Sequence, residues 1–343
     1  MFDFNLNLQR FANGQAANTN TQTTLLNNHT TAPYNDLSPE MKTFYDKVLL
    51  KFARPNLVHD QFAQIRNIPK GGGKVIEFRK YDQLPKATTA LTEGVTPDGQ
   101  LLNVKTVTAE VHQYGGYIEL SDVLMLTAID NNLTEAIELL GDQAGRTLDT
   151  ITRDVLCGGY NVLYGSGNTV NARESVTSAM KLTVTDIKMA VRKLKTNLAK
   201  KIDGYYVAIV HPDVAYDLMN DSEWIAASEY AGSSQIFEGE IGKLYGVRFI
   251  ETTEAKVLIG AGASSTNLYV TLVMGKDAYG TTSVEGGGLE TIVKQLGSSG
   301  TADPLNQRAT AGWKAIKTAE ILHDPYLVRI ESASTFSSEA VAN

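Results

Sequence analysis

The sequence predicts an α+β fold, on three observations. Residues 133–156 repeat apolar side chains every three or four positions, as one face of a long helix requires. Two β-rich runs, 74–81 and 104–120, flank a polar, turn-rich excursion and predict an extended hairpin. From Leu182 onward, short helical and strand patterns alternate irregularly, which indicates an α+β or α/β domain.

The chain opens with Met1-Phe2-Asp3-Phe4-Asn5-Leu6, which lacks the basic and apolar regions of a signal peptide and predicts a short apolar peg. Residues 14–31 are mostly Asn, Gln, Thr and Ala, with hardly a charge, and cannot pack a core alone. The surface expected to hold this tract is a neighbouring subunit. From 38 to 52 the pattern is helical. Ser38 suits the cap, Pro39 the first turn, and Met41, Phe44, Tyr45, Val48 and Leu49 share one face. Arg54-Pro55 ends it. A second, shorter segment at 57–65 precedes Pro69 and Gly71-Gly72-Gly73.

In the hairpin, Val75, Glu77, Arg79 and Tyr81 alternate with Ile76, Phe78 and Lys80. The excursion 82–100 carries Pro85, Gly94, Pro97 and Gly99, and the chain returns through 104–120. A lone hairpin is marginal in water, so this one is expected to find a partner surface outside its own core. That is a physical sign of assembly. The long helix places Leu133, Ile137, Leu140, Ala144, Leu148, Ile151 and Val155 on one face, with cap candidates at Asp130, Asn131 and Asn132. Glu135 and Glu138 suit its positive end, and Gly158-Gly159 stops it. At about 1.5 Å per residue it is a rod of roughly 35 Å. Gly141 and Gly145 on it predict close packing against another element rather than a hinge.

Further along, Thr185 is the expected cap of a helix through Ala199, with Ile187, Ala190, Val191, Leu194 and Leu198 apolar and Lys188, Arg192, Lys193, Lys195 and Lys200 covering the rest. Gly204 ends it. Strands are expected at 205–210, 246–251, 268–274 and 289–295, with a short helix opened by Pro212-Asp213 and running through Leu218. Residues 309–321 and 326–330 predict two last strands around His323-Asp324-Pro325, and the polar end 332–343 a frayed tail.

Composition narrows the function classes. The net charge is −7, from 31 Lys and Arg against 38 Asp and Glu, so the chain as a whole is not steered onto nucleic acid. One cysteine, Cys157, excludes an internal disulfide framework and a Cys-rich zinc module, and fits a reducing, cytoplasmic site of folding. No apolar run approaches the roughly 20 residues that span a bilayer.

Candidate chemistry is sparse. Gly71-Gly72-Gly73-Lys74 resembles part of a phosphate loop, but Val75 follows the lysine and a strand, not a helix, follows the glycines. His29, His59, His112, His211 and His323 show no helical zinc spacing. His59-Asp60 and His323-Asp324 are better explained as surface or turn pairs than as metal or acid–base sites. Cys157 ends a helix, whose carboxyl end raises a thiol pKa, and is expected to be buried and inert. Ser166, between Gly165 and Gly167, suits a turn rather than a nucleophile elbow. The basic face 188–201 predicts a solvated helix, with no aromatic platform interleaved. Tyr114, Tyr117, Tyr205 and Tyr206 fall in strands, where cross-strand packing is their ordinary use. No catalytic, cofactor-binding or metal residue is assigned.

Several blocks in order resemble the major capsid proteins of tailed bacteriophages, in the branch typified by coliphage N-four. They are Val75-Ile76-Glu77-Phe78-Arg79-Lys80-Tyr81, Leu91-Thr92-Glu93-Gly94-Val95-Thr96-Pro97, and Gln113-Tyr114-Gly115-Gly116-Tyr117-Ile118-Glu119-Leu120-Ser121-Asp122. Residues 144–156, Gly239-Glu240-Ile241-Gly242, Gly246-Val247-Arg248-Phe249 and Gly312-Trp313-Lys314 continue the match. The likeness runs from about Asp36 to Ile330 and is weakest at 163–182 and 261–267.

The resemblance implies the Hong Kong 97 type of fold. Residues 1–64 would form an amino-terminal arm with short helices, and 65–117 an extended loop over a neighbour. Residues 118–181 and 301–335 would form a peripheral domain with its spine helix at 133–156, 182–300 an axial domain, and 336–343 a tail. It further implies hexamers and pentamers tiling an icosahedral shell around double-stranded DNA held without sequence-specific binding, no membrane, and residence in the virion after assembly in the bacterial cytoplasm. No long helical segment precedes the arm, so a separate scaffolding protein is expected, with a portal and decoration proteins as further partners. Some shells of this fold cross-link through a loop lysine; Lys74, Lys80 and Lys86 lie near the hairpin, without a motif for it. Two rivals are an encapsulin-like compartment, which a cargo peptide on the inner face would mark, and a soluble enzyme, which a deep pocket of converging ionisable groups would mark.

Overall fold

The computed structural model describes residues 48–49, 51–53, 57–68, 74–81, 84–96, 98–127, 132–231, 242–284, 288–298 and 303–343. The expected amino-terminal peg and tract, the start of the 38–52 helix, Arg54-Pro55, the glycine triplet, Asp130 and Asn131, and Gly239-Glu240-Ile241 lie outside them. In chain order come β1 (Gln64–Ile68), β2 (Val75–Tyr81), β3 (Val104–Glu110), β4 (His112–Ser121), α1 (Asp122–Thr127) and α2 (Asn132–Leu156). Next are β5 (Val162–Tyr164), α3 (Val184–Thr196), β6 (Tyr206–Val210), α4 (Pro212–Met219) and α5 (Ser222–Ala231). Then follow β7 (Lys243–Leu244), β8 (Val247–Glu251), β9 (Val257–Leu258), β10 (Leu268–Met274) and β11 (Tyr279–Val284). The order ends with β12 (Glu290–Lys294), β13 (Arg308–Lys317), β14 (Ala319–Ile321) and β15 (Leu327–Ser332). No helix among the described residues is long and apolar enough to cross a membrane.

The contacts divide the chain into two units. One comprises Met1–Val58, Gln113–Asp149 and Val284–Lys317; the other comprises His59–His112, Thr150–Ser283 and Thr318–Asn343. The boundary between them falls inside α2.

In the first unit, β12, β13 and β4 form a three-stranded sheet. Glu290 pairs with Lys314 across β12 and β13, their charged groups 3.1 Å apart. The glycines of the capsid-like motifs are explained by close approach. A Cβ on Gly115 would meet the Trp313 carbonyl at 2.6 Å, and one on Gly312 the Tyr117 Cβ at 2.8 Å. Trp313, buried between them, donates its indole N–H to Gln143 Oε1 (3.1 Å) on α2. Gly312→Ala forces backbone apart and is expected to cost about 1–3 kcal/mol, read as a lower melting temperature. Along α2, Ile137, Leu140, Ala144 and Leu148 are buried as the period requires. Gly141 lets the turn at Leu49 and Phe52 close in, since a Cβ would sit 2.7 Å from the Leu49 carbonyl. That is the close packing expected of it.

In the second unit a seven-stranded sheet runs β5-β15-β10-β6-β8-β7, with β9 beside β10. All residues of β6 and β10 are buried, as central strands demand. Ile187, Ala190, Val191 and Leu194 of α3 join Tyr206, Ala208, Val210, Val247, Phe249 and Val273 in one apolar core. The cap of α3 is Thr183, not Thr185. Its side chain and the Asp186 carboxylate form a reciprocal capping box, and the helix closes at Thr196. Residues 57–65 are a turn followed by β1, not a helix; β1 gains its backbone partners from β11. The run 104–120 divides at Val111, with β3 pairing β2 and β4 pairing β13.

The end of the chain is not frayed. Asp217 accepts hydrogen bonds from Ser334 Oγ (2.7 Å), the Thr335 amide (2.8 Å) and the Thr335 hydroxyl, with Lys181 at 3.3 Å. These donors hold its carboxyl below the ordinary value against the burial that would raise it. Asn343 donates to the carbonyls of Thr253 (2.9 Å) and Ala255 (2.8 Å).

Candidate assembly surfaces

The β2–β3 hairpin is paired over its whole length, from Val75 opposite Glu110 to Tyr81 opposite Val104. One face is anchored. Phe78 is buried with Ala109 and Leu322, and a Cβ on Gly280 would sit 2.6 Å from its ring. Beyond the paired strands the described parts of 84–103 form no strand or helix. They are tied by short-range bonds such as the Val95 amide to the Thr92 carbonyl (3.1 Å) and Gln100 Nε2 to the Pro85 carbonyl (3.3 Å). This tip exposes Leu84, Leu91, Val95, Leu101 and Leu102, with Leu91 76% and Leu101 84% exposed. Five large apolar side chains thus stand in water on a segment without regular structure.

The first unit also exposes large apolar side chains: Val123, Met125 and Leu126 on α1, Leu139 on α2, and Leu305. The loop 303–308 meets α1, since the Asp122 amide donates to the Gln307 carbonyl (3.2 Å). Two carboxylates lie here, unnoticed in the sequence. Burial, with the Asp303 charge nearby, pushes the Asp122 carboxyl up to about 8. Asp122 Oδ1 accepts the Val123 amide (2.9 Å), and Asp303 Oδ2 the Arg308 amide (2.8 Å). A folded pKa above the ordinary 3.8 means that neutral Asp122 stabilises fully at lower pH, and that this contribution is lost as pH rises through 8. Asp122→Asn keeps the cap acceptor. It is expected to narrow the difference in melting temperature between pH 5 and pH 9.

The candidate chemical groups fall apart from one another. Lys74 precedes β2, a strand, as expected. His29 lies outside the described residues. His59 is buried and its carbonyl accepts the Tyr279 hydroxyl, while Asp60 Oδ1 accepts Thr152 Oγ1 (2.6 Å). His112 is exposed. His323 stacks on Tyr326 with centroids 4.8 Å apart, and Asp324 Oδ1 accepts the Tyr160 amide (2.9 Å). Cys157 is half-buried, and desolvation pushes its thiol up to about 11 although Lys256, Arg153 and Arg329 oppose it. Burial is therefore the largest cause of the shift. Ser166 lies in a turn at φ 61°, its amide held by the Lys181 carbonyl and Asp186 Oδ2, both at 3.1 Å.

His211, Asp213 and Tyr269 do come together. His211 Nδ1 accepts the Asp213 amide (3.2 Å) at the start of α4, and the Tyr269 hydroxyl donates to Asp213 Oδ2 (2.5 Å). Burial lowers the His211 pKa against the Asp213 charge, and burial with the Asp213 bond raises that of Tyr269. Tyr269 is fully buried, so the trio ties β10 to α4 inside the core. Among the described residues no group of three or more His, Cys, Asp and Glu is placed to hold a metal ion.

The basic helix face departs from the sequence expectation. Lys188 Nζ lies 4.6 Å from the centroid of the Tyr245 ring, and Lys243 Nζ 4.8 Å from that of Tyr205. One ring distant in sequence, that of Tyr245, is therefore set against a lysine of the helix, while Tyr205 meets a lysine of β7.

A family model described as phage capsid protein matches residues 104–325. No curated protein matches the chain. Among solved structures, the capsid of Ralstonia phage GP4 superposes with a TM-score of 0.65 at 17% identity, covering 80% of this chain and 87% of that one. The capsid asymmetric unit of cyanophage Pam1 gives 0.63 at 15%, covering 97% and 100%. The capsid of cyanophage P-SCSP1u gives 0.60 at 14%, covering 80% and 87%. At these identities the likeness concerns the fold, the α+β architecture of Hong Kong 97-type capsid subunits. Since the family model spans well over half of its residues, the chain belongs to the phage capsid protein family.

Proposed function

We propose that copies of this chain form hexameric and pentameric capsomers that tile an icosahedral head around double-stranded DNA, and that the subunit has no chemistry of its own. The exposed apolar tip of the β2–β3 hairpin carries this reading, because burying each leucine there is worth about 1.5–3 kcal/mol that the lone subunit forgoes. In the shell, residues 65–117 lie over a neighbouring copy, and residues 1–64 act as an arm. Residues 118–181 and 301–335 form the peripheral domain, 182–300 the axial domain and 336–343 a tail. A scaffolding protein, a portal and decoration proteins are the further partners. Assembly takes place in the host cytoplasm and the subunit ends in the virion. Electron microscopy of the protein co-expressed with the scaffolding protein of its phage tests this. Closed shells with five- and six-fold capsomers are expected; persistent monomers would overturn it.

A further inference from the structure

We propose that the lysine–tyrosine surface formed by α3, the turn 200–205 and the β7–β8 hairpin binds the phosphate backbone of duplex DNA. The shell reading supplies the identity of the polyanion; the surface itself stands on geometry.

Lys188, Arg192 and Lys195 lie at i, i+4 and i+7 on α3 and so form one stripe along its outer side. Lys188 reaches the Tyr245 ring, which belongs to the β7–β8 turn. Lys201 lies beside Gly246 in that turn, and 5.9 Å from the Tyr206 ring centroid. The stripe is thereby continuous with the sheet edge, where β7 is the last strand. There Lys243 stands directly opposite Arg248 in the antiparallel register. Both are exposed, and like charges placed opposite each other repel unless an anion lies between them.

Of Lys188, Arg192, Lys195, Lys201, Lys243 and Arg248, only Lys188 is in an ion pair among the described residues, with Glu223. Tyr205 and Tyr245 remain 36% and 49% exposed. Ammonium groups already stand over these two rings, so base stacking is not their use. Held this way, the lysines are set out as point charges, with tyrosine hydroxyls and two guanidinium groups as additional phosphate donors. A nucleic-acid strand presents a charge about every 3.4 Å, a continuous row of anions that a stripe of cations running from a helix to a sheet edge suits.

The test uses the unassembled full-length subunit and a short DNA duplex, titrated across salt concentrations. Binding is expected to weaken with a log–log slope of about −3 to −5, as contacts to several phosphates require. Lys243→Gln/Arg248→Gln, checked for an unchanged melting temperature, is expected to bind at least tenfold more weakly and to flatten the slope by about 2. No binding at low salt, or an unchanged slope in the variant, overturns the proposal. Equal capture of poly-glutamate at matched charge also overturns it, in favour of an acidic protein partner. Shells that form from a subunit unable to bind duplex sink this inference alone; a subunit that binds duplex but never forms shells sinks the shell reading alone.

Discussion

A subunit carrying Leu101→Asp and Leu102→Asp folds normally and fails to build shells. Both leucines are exposed at the hairpin tip, so their loss removes no contact from the subunit's buried core. Surface substitutions of this kind usually change stability by less than about 0.5 kcal/mol. In the shell each leucine would be desolvated, at about 1.5–3 kcal/mol per side chain, and the variant would instead bury charge. Because every copy in the shell bears the change, assembly falls steeply. Thermal melting and sedimentation velocity separate the two effects: the melting temperature stays, and the fast-sedimenting species disappears. Wild-type shell yield would show that the hairpin tip is not an intermolecular contact.

The second large effect is expected at Glu331. This carboxylate on β15 is fully buried, and the Arg173 guanidinium grips both its oxygens, at 2.7 and 2.6 Å. Arg329 Nε lies 3.0 Å away, at ion-pair distance without hydrogen-bond alignment. Glu331→Ala leaves two cations facing a void. Arg173 is 36% exposed and regains water, whereas Arg329, at 13%, does not. The loss is therefore about 3 kcal/mol, at the low end for a broken buried pair, and lowers the melting temperature by roughly 4 °C. A change of less than a degree or two would show that the pair is not what holds β15 beside the 173–175 turn.

What the sequence made legible was local and periodic. The α2 rod follows from Leu133, Ile137, Leu140, Ala144 and Leu148 alone, because a helix buries one stripe whatever it packs against. Arg153 on the same helix is buried, donating to the carbonyls of Glu254 (2.8 Å) and Asn343 (3.0 Å). Those partners lie far away in sequence, so no local pattern announces them. The end of the chain is illegible for the same reason: Ser334 and Thr335 look like tail residues until Asp217 is brought beneath them. Residues 57–65 had an apolar spacing consistent with a helix, and the strand at Gln64–Ile68 depends on pairing with β11. That strand, Tyr279–Val284, is itself diluted by Gly280 and two threonines. The glycine pair Gly115-Gly116 carried a family likeness before its cause was visible; the cause is Trp313 and Gln143. Tyr245, whose ring stands against Lys188 of the basic helix, comes from a segment outside that helix.

Whether the hairpin tip is an intermolecular contact is decided by a single-particle reconstruction of the assembled protein at side-chain resolution. The expected result is a closed shell in which Leu91, Leu101 and Leu102 of each hairpin are buried against a neighbouring copy. A shell whose hairpin tips project into solvent and touch no other subunit would contradict it.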